Sequence, residues 1–132
     1  MTFFAGRKVH SAIKEVDVNL SREGAQCHIS LSGRITMDSA PDLRARLLKQ
    51  LEDPGCQHLA LDFSEVAYID TAGVAILVEV LRDARSRHKK FEVSRLQERP
   101  RFILQATQVL PLFDKDDSDG PAVNLPIEGN PL

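Results

Sequence analysis

One segment near the middle of the chain constrains the fold most: a short apolar strand pattern passes through a loop into a long apolar helix pattern. The strand pattern covers Leu59–Phe63, where Ala60 stands between larger apolar residues and indicates burial on both faces of a sheet. The helix pattern begins at Val74 and reaches Ala84, with apolar residues three or four positions apart. A buried strand followed directly by a helix is typical of α/β folds.

Two runs of alternating apolar and polar residues upstream of this segment predict a β-hairpin. The runs are Val16–Leu20 and Cys27–Leu31, and their period of two is that of half-buried strands. Ser21–Gly24 supplies the turn between them. Ser32-Gly33-Arg34 is expected to end the second strand.

A helix is expected between the hairpin and the central strand. Ser39 offers a capping hydroxyl, Pro41 suits the first turn, and an acid follows at Asp42. Leucines then recur every fourth residue over Leu43–Leu51, which gives the helix one apolar face. Pro54-Gly55 is expected to stop it.

The complete order of elements reads β-β-α-β-α-β-α, because Phe91–Val93 forms a last short strand and a last helix starts near Arg99-Pro100. This order predicts an α/β fold in which a mixed sheet of about four strands has helices packed mainly on one side. We expect an N-terminal extension at residues 1–12, one domain at 13–113, and a flexible, acidic, Pro-rich tail at 114–132. The expected core contains Ile29, Leu31, Leu59, Leu61, Val74, Val78 and Leu81.

Composition limits the classes of function. The 132 residues fit one domain, and a net charge of −2 leaves no basic surplus for nucleic acid or acidic lipid. No apolar stretch approaches the ~20 residues that span a bilayer, so we expect a cytoplasmic protein without direct membrane insertion. The cysteines and histidines lack metal-ligand spacing. No nucleophile elbow, phosphate-binding glycine loop or nucleophile–base pair is present, so we expect neither an enzyme nor a cofactor.

The loop before the long helix carries Asp70-Thr71-Ala72-Gly73. Asp70 suits the N-cap, because its carboxylate can accept hydrogen bonds from amides two or three residues ahead. Ala72 and Gly73 keep the helix mouth small enough for a neighbouring backbone or a partner side chain to approach. Two interpretations stay open: the loop only caps a helix, or the Thr71 hydroxyl takes a phosphate that the fold tolerates and a docked partner does not.

The long helix is apolar on more than one face. Val74, Val78 and Leu81 cluster on one side, and Ile76 and Val80 project from roughly the opposite side. Either another helix covers this second pair, or the pair forms an exposed apolar strip beside the loop on which a partner docks. The basic run at 82–90 is interpreted as a solvated helix end, or as a surface that faces an acidic partner or a membrane-bound complex.

These features together resemble the STAS domain, the fold of bacterial anti-sigma factor antagonists, over about residues 13–113. Three segments carry the resemblance: Leu31–Ile35, where the family has a strand running into a turn, Leu61–Phe63 before the switch loop, and Ile69–Val74, where the family typically has Asp-Ser-Ser-Gly-Leu. In the anti-sigma factor antagonists the residue after the Asp is phosphorylated by a partner kinase, and phosphorylation breaks the complex.

The resemblance implies a regulatory, protein-binding function in transcription control by partner switching, with Thr71 as the phosphoacceptor. The implied partner is a kinase-type anti-sigma factor, which would supply ATP; a homodimer stays open. The expected switch-loop and partner-binding residues are Asp70, Thr71, Ala72, Gly73, Ile76 and Val80. Asp-Thr-x-Gly also resembles the small STAS subunit of bacterial lipid-transport ABC systems, which implies a transporter ATPase as the alternative partner.

Overall fold

The structure is a computed structural model that describes residues 8–13 and 15–113. The elements in this part of the chain are β1 (Lys8–Ile13), β2 (Val16–Glu23), β3 (Gln26–Ile35), α1 (Ala40–Glu52), β4 (His58–Ile69), α2 (Thr71–Ser86), β5 (Lys90–Ser94), α3 (Glu98–Ala106) and α4 (Leu110–Phe113). The prediction for the tail at 114–132 lies outside the described residues.

The five strands form one mixed sheet in the order β1-β2-β3-β4-β5. The first three strands are antiparallel neighbours, whereas β4 runs parallel to both β3 and β5. α1 and α2 are therefore crossover connections between adjacent parallel strands, and right-handed crossovers that advance in one direction place both helices on the same face. The predicted α/β class, with a mixed sheet and helices mainly on one side, is confirmed.

The strand that the sequence pattern did not predict is β1, which lies almost entirely in the expected N-terminal extension. It pairs with β2 from Lys8 opposite Ser21 to Ile13 opposite Val16. In the segment Lys8–Ile13, polar and apolar residues occur at both the odd and the even positions, so the sequence shows no clear alternation. Such an edge strand is held by backbone pairing to a neighbour, which a periodicity search does not detect.

β3 and β4 are longer than their sequence patterns indicate. β3 continues through Gly33, because this glycine adopts φ +117° at an irregularity in the β3–β4 pairing instead of ending the strand. A side chain at Gly33 would collide with the carbonyl oxygen of Glu15. β4 likewise runs to Ile69 through the predicted Ser64-Glu65 turn. The Ser64 amide donates to Asp62 Oδ1 at 2.8 Å, a local bond that the irregular pairing accommodates.

The core lies between the sheet and the α1–α2 layer. Six of the seven predicted core residues are buried, namely Ile29, Leu31, Leu59, Leu61, Val74 and Leu81. Val78 is only half-buried and packs at the margin. The reason is that the buried face of α2 is centred on Gly73, Leu77 and Ala84, so Val78 lies at its edge.

The two ends of α1 are held by side chains in ways that the sequence did not predict. Ser39 makes no side-chain cap bond; its hydroxyl instead accepts from the Thr36 amide at 2.9 Å and donates to the Arg34 carbonyl at 3.1 Å. At the other end, Lys89 Nζ donates to the carbonyls of Leu51 and Asp53. One residue of the basic run therefore caps α1 and is not simply solvated.

In the part of the chain that the structure describes, no helix combines the length and apolar character needed to cross a membrane.

Candidate functional site

The junction between β4 and α2 is organised by the two carboxylate oxygens of Asp70. Oδ1 accepts from the Gly73 amide at 3.0 Å, which makes Asp70 the N-cap of α2, as expected. Oδ2 accepts from the Met37 amide at 3.0 Å, and the Asp70 amide donates to the Ile35 carbonyl at 3.0 Å. Asp70 therefore joins the start of α2 to the loop between β3 and α1.

Thr71 is the first residue of α2, and it is exposed. Its hydroxyl has no hydrogen-bond partner among residues 8–13 and 15–113. The capping bond comes from Asp70 alone, so the Thr71 hydroxyl is not needed to complete the helix. A hydroxyl at this position is exposed to solvent and lies at the positive end of the helix dipole.

The small residues after Thr71 do not share one environment. Ala72 is half-buried, whereas Gly73 is buried against the sheet. A Cβ at Gly73 would lie 2.6 Å from Ile69 Cγ1 and 2.7 Å from Ile35 Cγ2. The lack of a side chain at Gly73 therefore lets α2 approach β3 and β4, so of the two possibilities that the sequence allowed, a neighbouring part of the fold comes close here.

The expected apolar strip at Ile76 and Val80 is not on the surface. Ile76 is 8% exposed and Val80 is 0% exposed. α1 lies along this side of α2, where Arg44 Nε donates to Glu79 Oε2 at 2.8 Å. The partner-binding assignment of these two residues is therefore corrected: both belong to the core between the helices, which is the other explanation that the helix pattern allowed.

The surface that remains beside Thr71 is formed by Ala72, by the exposed Ala75 one turn further along α2, and by the half-buried Val78. Met37 adjoins this surface through its bond to Asp70, and its side chain is 70% exposed. No sequence signal could identify Met37, because one apolar residue in a polar loop has no period.

The ion pair between Arg44 of α1 and Glu79 of α2 is exposed to solvent, which screens it. The hydrogen bond from Arg44 lowers the pKa of the Glu79 carboxyl and raises the pKa of the Arg44 guanidinium. Both side chains are nearly half-exposed, and such surface pairs contribute little to stability. Within residues 8–13 and 15–113, no group of three or more His, Cys, Asp or Glu residues is arranged to hold a metal ion.

A mixed sheet with crossover helices on one face, together with a surface hydroxyl directly after an N-cap aspartate, defines a small α/β domain of the STAS type. The family model described as Mlab, STAS domain, matches residues 18–111. The chain therefore belongs to the STAS domain family.

Solved structures share this fold at low sequence identity. An anti-sigma factor antagonist from Mycobacterium paratuberculosis is 22% identical with a TM-score of 0.66, over 84% of this chain and 87% of its own. The anti-sigma factor antagonist SpoIIAA in its unphosphorylated form is 13% identical with a TM-score of 0.64, over 77% and 92%. A sulfate transporter family protein from Wolinella succinogenes is 16% identical with a TM-score of 0.56, over 67% and 71%.

Proposed function

We propose that this chain is a non-enzymatic, cytoplasmic protein-binding module of the anti-sigma factor antagonist type, and that phosphorylation of Thr71 makes it exchange partners. One observation carries the proposal: the Thr71 hydroxyl is exposed at the start of α2, while Asp70 alone supplies the cap. A fold that used Thr71 only as a cap would tie up its hydroxyl. The likeness to SpoIIAA, which has an unphosphorylated form, supports the same choice.

The proposed switch follows from the charges at the start of α2. A phosphate on Thr71 would add about −1.5 to −2 charge. In the free protein the helix dipole offsets part of the repulsion from Asp70, typically by about 0.3–1 kcal/mol, and water screens the rest. In a docked interface water is excluded, and like-charge juxtaposition there costs several kcal/mol. Phosphorylation would thus leave the fold intact and release the partner.

The proposed partner is a kinase-type anti-sigma factor. It would bind the surface of Asp70, Thr71 and Ala72, release its sigma factor, and supply the ATP for the phosphate. This chain then needs only an accessible hydroxyl and no nucleotide site of its own.

Thr71→Glu tests the proposal. We expect the variant to fold normally, since the new carboxylate is exposed, and to bind its partner at least tenfold more weakly. Thr71→Ala should keep binding and lose sensitivity to the kinase. The measurement is a pull-down from the native cell with mass spectrometry, followed by affinities for the purified partner.

Gln105→Glu is the matched control, because it adds one negative charge at an exposed position on α3 without changing side-chain size. It should bind as the unmodified protein does. Equal recovery of the same partners by Thr71→Glu and by the unmodified chain would refute the switch.

The alternative is an accessory subunit of a lipid-transport ABC complex. It is favoured by the sequence Asp70-Thr71-Ala72-Gly73, which has Thr and Ala where the antagonists have serines. Recovery of an ATPase with a permease, or genes for these two beside this one, would support the transporter. A kinase and a sigma factor would support the antagonist.

A further inference from the structure

Two large apolar side chains are exposed in the part of the chain that the structure describes: Met37, at 70%, and Phe102, at 67%. Phe102 lies on α3, a helix that packs beside β4, and none of the hydrogen bonds of Asp70 within the described residues involves that helix. Met37 lies in the β3–α1 loop and is hydrogen-bonded to Asp70, the residue before Thr71. Only Met37 is therefore attached to the site of the proposed switch.

The backbone around Met37 is fixed by hydrogen bonds within its own turn. The Thr36 amide donates to Ser39 Oγ at 2.9 Å, and the Ser39 amide donates to the Thr36 carbonyl at 3.0 Å. The Asp38 amide donates to Thr36 Oγ1 at 3.1 Å. Met37 thus projects from the tip of a turn whose neighbouring amides are all bonded.

The fourth restraint on this turn comes from the switch loop itself. Asp70 Oδ2 accepts from the Met37 amide while Oδ1 of the same carboxylate caps α2. One side chain therefore sets the position of Met37 relative to Thr71. A partner that docks at Thr71 therefore lies next to a turn whose backbone is held in place by Asp70.

We propose that Met37 is the apolar anchor of the Thr71 docking surface and that it inserts into an apolar pocket of the protein partner. This inference rests on the proposed function and adds the chemistry of the contact. Burying an exposed methionine removes apolar surface from water, and its unbranched side chain adapts to pockets of different shape. The fixed turn reduces the backbone entropy that binding would otherwise lose.

The charges around Met37 favour a different protein over a second copy of this chain. Asp38, which follows Met37 in the chain, and Asp42, in the first turn of α1, are exposed, and neither forms an ion pair with any described residue. A two-fold contact between copies would bring these carboxylates against their own equivalents, which is repulsive. The same carboxylates oppose insertion of Met37 into an anionic membrane.

Photo-crosslinking from position 37 tests the anchor. A diazirine amino acid replaces Met37 in the full chain in the native cell, and a second strain carries it in place of Phe102. We expect position 37 to crosslink to a kinase-type protein at residues lining an apolar pocket, and Thr71→Glu to remove that crosslink. Position 102 should not reach this protein. A crosslink from position 37 to a second copy of the chain, or to lipid, would overturn the inference.

Affinities for the partner identified in this way separate the anchor from the switch. Met37→Ala should weaken binding about tenfold or more, as truncated central anchors do, whereas Met37→Leu and Phe102→Ala should bind nearly as the unmodified chain does. If Thr71→Glu weakens binding and Met37→Ala does not, the anchor is wrong and the switch stands. If only Met37→Ala weakens binding, the anchor stands and the switch is wrong.

Discussion

At the scale of single residues, Cys27 and Cys56 are free thiols that are fully buried beside each other. Burial, followed by a hydrogen bond with Cys27, raises the pKa of Cys56 to about 12. Cys27 Sγ also accepts from Gln50 Nε2 at 3.5 Å, and Cys56 Sγ donates to the His58 carbonyl at 3.8 Å. Cys56 is therefore a neutral thiol near neutral pH, whereas the thiolate is the reactive form.

We therefore predict that iodoacetamide does not alkylate Cys56 in the folded protein at pH 8. A thiol with this pKa is about 0.01% thiolate at pH 8, whereas a free cysteine is roughly a quarter thiolate. Mass spectrometry over time should show labelling only after denaturant is added. Ser30→Cys, at an exposed position on β3, is the control and should react quickly. Rapid native labelling of Cys56 would contradict the prediction.

Whether a hydrogen bond of Asp70 could be predicted from the sequence depends on how far apart its two residues lie in the chain. The bond from Asp70 to Gly73 spans three residues, and N-cap chemistry predicts it directly. The bond from Asp70 to Met37 spans 33 residues. It exists only because parallel pairing brings the ends of β3 and β4 together, which no local pattern encodes.

At the scale of elements, the distance of α2 from the sheet is set by Gly73. Glycine in a helix is unfavourable by about 0.8–1 kcal/mol relative to alanine, so its presence in the first turn needs a reason. The reason is the contact with Ile69 and Ile35, whose γ carbons would lie within 2.7 Å of an added Cβ. Both isoleucines are buried and β-branched, so neither side chain can move aside easily.

Gly73→Ala should therefore destabilise the protein in spite of the gain in helix propensity. Overpacking of a core costs typically 1–3 kcal/mol, and the propensity gain offsets about 1 kcal/mol of it. We expect a net loss of up to about 2 kcal/mol in the free energy of unfolding, measured by urea denaturation. Ala75→Gly, at an exposed position of the same helix, measures the propensity contribution alone. An increase in stability for Gly73→Ala would show that the close contact is not limiting.

The helix period in the sequence identified both apolar faces of α2, but it did not identify which element of the fold packs against each face. Ile76 and Val80 are buried because α1 lies beside them, and that depends on two right-handed crossovers on one face of the sheet. The same limit applies to strands. Local turn chemistry at Ser64 suggested an end to β4, whereas pairing with β3 carries the strand on to Ile69.

At the scale of the whole molecule, β4 is the central strand on which the parallel part of the sheet is built. It is hydrogen-bonded to β3 on one side and to β5 on the other, and α2 follows it directly. The sequence predicted the first half of this strand, Leu59–Phe63, because a strand with neighbours on both sides is apolar at consecutive positions. It did not predict β1, because Lys8–Ile13 shows no clear alternation of apolar and polar residues, whereas the other edge strand, β5, has Phe91 and Val93 two positions apart.

Leu61 lies at the centre of this arrangement, opposite Ile29 of β3 and Val93 of β5. It is 0% exposed. Leu61→Ala removes buried carbons where three strands hold the walls of the resulting cavity apart, so the site cannot collapse fully. We expect the free energy of unfolding to fall by about 2–5 kcal/mol in urea denaturation, with an unchanged denaturant slope. Glu65→Ala, exposed on the same strand, should stay within about 0.5 kcal/mol of the unmodified chain. A loss below about 1 kcal/mol for Leu61→Ala would place this leucine outside the core and contradict the strand order.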